Sequence, residues 1–83
     1  MKVKTFQKEY ELSEFSYYLD DIAGECISVL DLVVQDNKPE LVEEDLSNLF
    51  AIETDHHAQV FSGYEISECY LTDDNLTKVV CIK

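Results

Sequence analysis

The stretch from Ser13 to Asp36 sets the tightest limit on what this chain can fold into. Phe15, Leu19, Ile22, Cys26, Val29 and Val33 follow one another at steps of four, three, four, three and four. That spacing places all six on one stripe of a helix turning once per 3.6 residues. The opposite arc collects Glu14, Tyr17, Asp20, Asp21, Glu25, Ser28, Asp31 and Asp36, with no Lys or Arg among them. Solvated helix faces normally mix both signs, because like charges four apart, such as Asp21 and Glu25, cost roughly 0.2–0.5 kcal/mol. The expectation is a long amphipathic helix with one row of unpartnered carboxylates, capped at its start by Ser13. Gly24 is its weak point.

The rest of the chain reads around that helix. Lys2 to Tyr10, rich in Val, Thr, Phe and Tyr, predicts a strand near a sheet edge, where Lys is useful. Pro39 suits the first position of a second helix running to Phe50, with Glu40, Glu43 and Glu44 on its polar side. After Thr54 the pattern turns to strands. Ala58 to Phe61 and Tyr64 to Thr72 flank Ser62-Gly63, a two-residue hairpin candidate. Asp73-Asp74-Asn75 is a further turn before the β-branched run Leu76 to Ile82. The predicted order is β-α-α-β-β-β, a single α+β domain over residues 1–83 with two helices on one face of a small antiparallel sheet.

Charge sets limits on function. Eighteen carboxylates meet six lysines and no arginine, for a net charge of −12, and between Glu9 and Thr77 the only lysine is Lys38. Such a charge repels nucleic acid and anionic membranes, so neither is expected as a direct ligand, and a basic protein surface is the natural partner. No apolar run is long enough to span a bilayer, and the N-terminus has no signal-type apolar region. Cys26, Cys69 and Cys81 lack metal-ligand spacing, and all three are expected as free thiols in a cytoplasmic protein. Cys26, on the apolar stripe, is expected to be buried and slow to react.

Catalytic features are sparse. His56 and His57 would point to opposite sides of an extended chain, so they do not suit one metal ion. There is no Gly-rich phosphate loop, no anion-clamping Arg and no serine elbow. The residues therefore imply a protein that is not an enzyme and has no cofactor or metal. An acyl carrier protein would need Asp-Ser-Leu at a helix start, where this chain has Asp45-Leu46-Ser47. A ferredoxin would need a fourth cysteine.

In size, charge and lack of catalytic groups the chain resembles the small acidic inhibitors that phages direct at host defence enzymes. These include DNA-mimic anti-CRISPR and anti-restriction proteins and uracil-DNA glycosylase inhibitors. The resemblance is compositional and carries no motif. It implies a viral inhibitor that acts in the host cytosol, blocking nucleic-acid access to a defence nuclease or CRISPR effector. The expected partner-binding residues are Glu14, Tyr17, Asp20, Asp21, Glu25, Asp31, Asp36, Glu40, Glu43 and Glu44. An immunity protein or antitoxin against a cationic nuclease follows the same electrostatic logic. An acidic regulatory or assembly subunit remains a third reading.

Overall fold

A computed structural model describes residues 1–83, and it replaces the long helix with a hairpin. Strand β2 (Glu9–Ile22) runs out, Ala23 and Gly24 turn it, and β3 (Glu25–Val34) returns alongside. Both turn residues have positive φ, 54° and 82°, the condition for a tight hairpin turn that follows the right-handed twist of its strands. Gly24, the weak point of a helix, is therefore the residue that makes the turn. The α+β expectation of two helices on a small sheet is overturned. The chain is an antiparallel seven-stranded sheet with one short helix.

Two physical properties of this stretch favour the hairpin. Aromatic and β-branched side chains make up eight of the twenty residues from Phe15 to Val34 and favour a pleated surface over a helix. Moreover, the second half of β3 carries apolar side chains on both faces, Leu30, Leu32 and Val34 on one and Val29 and Val33 on the other, with Asp31 the one polar interruption. A strand apolar on both sides loses its period of two, and a helical stripe can then be drawn through it. Ser13 caps nothing. It sits in a bulge, where the register with β3 slips between Leu12 and Glu14.

The remaining elements are β1 (Lys2–Lys4), α1 (Pro39–Leu46), β4 (Phe50–Glu53), β5 (Ala58–Phe61), β6 (Glu65–Leu71) and β7 (Thr77–Ile82). The sheet order is β5-β4-β1-β2-β3-β7-β6. β1 thus lies inside the sheet and not at its edge. Lys4 pairs with Glu9 on β2 and with Glu53 on β4, so its charge is matched across both neighbours. The turn between β1 and β2 is held by Thr5, whose hydroxyl accepts the N–H groups of Gln7 and Lys8, both at 3.1 Å.

Ser62-Gly63 does not form a hairpin. β5 and β6 are the two opposite edges of the sheet, joined only by Ser62, Gly63 and Tyr64. Flat, seven strands at ~4.8 Å spacing would hold those edges ~29 Å apart. Four Cα steps cover at most ~14 Å. The sheet must therefore coil until its edges approach, an open barrel. Lys83 Nζ spans the gap, donating to the Ser62 carbonyl at 3.1 Å. Phe61 fills the closing seam, with ring centroids 5.7 to 6.4 Å from those of Phe15, Tyr17, Phe50 and Tyr64.

The concave face carries the core of Val3, Tyr10, Leu12, Leu30, Leu32, Val34, Phe50, Ile52, Phe61, Val79 and Cys81. Helix α1 packs against β6 and β7, adding Val42 and Leu46, one helical turn apart, to that core. An isolated helix of eight residues is unstable in water. Pro39 at its start and two buried side chains, each contributing about 1.5–3 kcal/mol, hold it in place.

The thiols reverse the expectation for Cys26, which is exposed on the hairpin, while Cys81 is buried in β7. Burial pushes the Cys81 thiol up to about 12, with a smaller effect from Cys69. Burial likewise raises Cys69, which lies 3.5 Å from the Pro39 carbonyl. Thiolate is the reactive form, so an alkylating reagent at pH 8 should modify Cys26 in the native protein and reach Cys81 only on unfolding. Mass spectrometry of the labelled peptides reads this directly. Native-state labelling of Cys81 as fast as Cys26 would contradict the fold.

Candidate docking surface

The convex face of β2, β3, β7 and β6 is where the acidic and apolar residues meet. Strand alternation assigns it. Glu14, Tyr18, Asp20 and Ile22 of β2 stand opposite Val33, Val29, Ile27 and Glu25 of β3. Val29 and Asp31 of β3 then stand opposite Ile82 and Val80 of β7, which face Glu65 and Glu68 of β6. The result is an apolar centre of Ile27, Val29, Val33, Val80 and Ile82, edged by Glu14, Asp20, Glu25, Glu65 and Glu68. Tyr18, Ile22 and Tyr70 add exposed apolar surface at 45%, 47% and 49%.

One base lies on this face. Lys78 forms an ion pair with Asp31, and that hydrogen bond raises the lysine above its ordinary value. The surrounding carboxylates have no cation partner. Antiparallel sheets usually leave one face solvated, and that face alternates to polar residues. Here β3 and β7 remain largely apolar on the side away from α1, where neighbouring side chains bury Val29 and leave Ile27, Val33, Val80 and Ile82 half-buried. An apolar centre inside a charged rim is the anatomy of a protein interface.

The predicted binding residues divide into three groups. Glu14, Asp20, Glu25 and Asp31 share the convex face, Asp31 already paired. Tyr17 and Asp21 have the opposite parity on β2 and belong to the concave side. The Tyr17 ring lies 5.9 Å from that of Phe61. Hydrogen bonding with Ser28, then with Tyr64, holds its phenol below the ordinary value, while burial raises Tyr64.

The last group lies off the convex face, Asp36 past the end of β3 and the other three on α1. Asp36 accepts the Lys38 N–H at 2.8 Å and lies 3.8 Å from Lys8, while Glu40, Glu43 and Glu44 belong to α1. Glu25 at the hairpin tip and Asp36 past Val34 are about 30 Å apart along β3, and α1 sits on the concave side against β6 and β7. The single helical row of carboxylates therefore does not exist. Glu65 and Glu68 join the surface instead. Nothing local marks them, since only the pairing of β6 with β7 brings them there.

Elsewhere, a cleft of about 460 Å³ lies between the β1–β2 turn and α1, lined by Phe6, Lys8, Tyr10, Leu41, Glu44 and Asp45 among others. Two of its polar side chains engage Tyr10: the Tyr10 hydroxyl donates to Asp45, and Lys8 Nζ sits 4.6 Å over the Tyr10 ring. Burial, then Asp45, raises the Tyr10 phenol. No three His, Cys, Asp or Glu side chains converge to hold a metal ion. No helix is long and apolar enough to cross a membrane. Comparison with the known protein families, with characterised proteins and with solved structures finds no match to this chain.

Proposed function

We propose that this chain is an acidic inhibitor that docks on the basic nucleic-acid-binding surface of another protein and blocks nucleic-acid access. The observation carrying this reading is the convex face, a half-buried apolar centre extended by the exposed Tyr18, Ile22 and Tyr70 and rimmed by carboxylates without cation partners. A surface evolved for phosphates, which line duplex DNA at one charge per ~1.7 Å, offers Lys and Arg to such a rim. Defence nucleases and CRISPR effectors of the host cytosol present surfaces of this kind, as do the cationic nucleases neutralised by immunity proteins and antitoxins.

The test uses a basic protein retained on the immobilised chain from host lysate and eluted by salt. Its affinity is then measured for the native chain and for the variant E14Q/D20N/E25Q/E65Q. Four exposed charges at about 0.7 kcal/mol each predict a roughly hundred-fold loss. The variant E40Q/E43Q/E44Q, altered on α1, should stay within about threefold. Duplex DNA or guide RNA should compete with the native chain for the partner. Equal loss in both variants would move the interface off the convex face. Loss without nucleic-acid competition would favour a regulatory or assembly subunit over an inhibitor of nucleic-acid binding.

A further inference from the structure

Beyond Leu12, one side of β2 has no neighbouring strand. β1 pairs with Glu9 to Glu11 only, and its last contact is the Leu12 N–H donating to the Met1 carbonyl at 2.9 Å. The hairpin continues ten residues further, to Ile22, with β3 on its other side. Ser28 of β3 exchanges both of its backbone bonds with Lys83, at 3.1 and 3.0 Å, so it faces away from β2. Its cross-strand partner Leu19 must then turn its own N–H and C=O outward, because such pairs alternate along an antiparallel ladder. By the period of two, Phe15, Tyr17, Leu19 and Asp21 form the outward row. The Asp21 N–H confirms the direction, since the Asp20 carboxylate accepts it at 2.9 Å.

Sheet edges are normally guarded by shortness, bulges, proline or lysine. The two terminal strands follow this rule: β5 has four residues, and β6 carries a bulge between Ile66 and Glu68. From Glu14 to Ile22 there is no Lys, no Pro and no bulge. The only charges are Glu14, Asp20 and Asp21, all acidic. A second copy pairing along this edge would bring three carboxylates from each chain to one seam without a cation. An incoming basic strand would set Lys or Arg beside those carboxylates, as favourable cross-strand pairs require.

We infer that the outward edge of β2, from Phe15 to Leu19, accepts an extended lysine- or arginine-bearing segment of the basic partner as an added strand. This rests on the acidic-docking reading and specifies how part of the partner is held. Main-chain hydrogen bonds would supply the attachment, and the carboxylates would select the basic segment.

The experiment uses the native chain, labelled with ¹⁵N, and a nonapeptide of alternating Lys and Thr. The control is the same peptide N-methylated at every residue, which keeps the charge and removes the donors. The unmethylated peptide should bind at least tenfold more tightly. At saturation, amide exchange should slow at least tenfold at Phe15, Tyr17 and Leu19. Ser16 and Tyr18, whose N–H groups already face β3, should not change.

Leu19→Pro removes one outward donor without touching the β3 ladder and should weaken the unmethylated peptide at least fivefold. If that variant does not fold, the methylated peptide still decides. Equal binding of the two peptides with no slowing at the three amides would overturn the added strand and leave acidic docking standing. Binding of neither peptide at low salt would also overturn it. Acidic docking fails separately, if the four-carboxylate variant keeps its affinity for the protein partner.

Discussion

Leu30→Ala should cost about 2–5 kcal/mol of stability, as for other fully buried leucines. Leu19→Ala should stay within about 0.5 kcal/mol, as for exposed surface positions. Leu30 is 0% exposed at the centre of β3, between Tyr17 of β2 and Cys81 of β7, while Leu19 is 64% exposed near the hairpin tip. Small domains hold only about 5–15 kcal/mol in total, so the Leu30 variant loses a large fraction of its folded population on mild heating. The contrast is diagnostic because an amphipathic helix over this stretch would make Leu19 a core residue. Urea titration of the two variants reads the difference. A Leu19→Ala cost equal to that of Leu30→Ala would reinstate the helix and remove the hairpin.

Phe61→Ala should be equally severe, about 3–5 kcal/mol for a buried aromatic, but with a different signature. Phe61 is 3% exposed and sits where the coiled sheet brings β5 back towards β2 and the β6 end of the chain. Removing the ring takes away the one side chain whose neighbours include Phe50 of β4, Phe15 and Tyr17 of β2, and Tyr64 beside β6. The edge strand β5 and its neighbour β4 should lose protection from amide exchange first, while the β3–β7 ladder holds to the global transition. Uniform loss across all strands would mean that the seam is not a separate closure and that the sheet unfolds as one unit.

The acidic character of the surface was legible without any structure. Lys38 is the only lysine or arginine between Glu9 and Thr77, and no arrangement of strands or helices can neutralise a deficit of that size. The gathering of that charge was not legible. Glu14, Asp20 and Glu25 share a face because Ala23 and Gly24 fold β2 back on β3. Glu65 and Glu68 join them because β6 returns beside β7 across a turn in which Asn75 takes φ 65°. Asp21, next to Asp20 in the chain, is sent to the other side by the pleat. On a helix Asp20 and Asp21 would have stayed neighbours.

Local chemistry settled the short-range features. Pro39 begins α1, and Asp73-Asp74-Asn75 turns β6 into β7, because restricted or left-handed backbone conformations are properties of single residues. It could not settle whether Ser13 to Asp36 is one helix or two strands. Apolar residues on both faces of β3 satisfy a helical stripe as well as a double-sided strand, and only the partner strands β2 and β7 choose between them. The same holds at Ser62-Gly63, which has the composition of a hairpin turn. What decides there is that β4 is already paired with β1 on one side and β5 on the other, leaving β6 to pair with β7 across the barrel. Backbone hydrogen bonds between distant strands are a choice of partner. A residue's own preferences do not encode that choice, so the open barrel, its seam at Phe61 and the free edge of β2 belong to the tertiary structure alone.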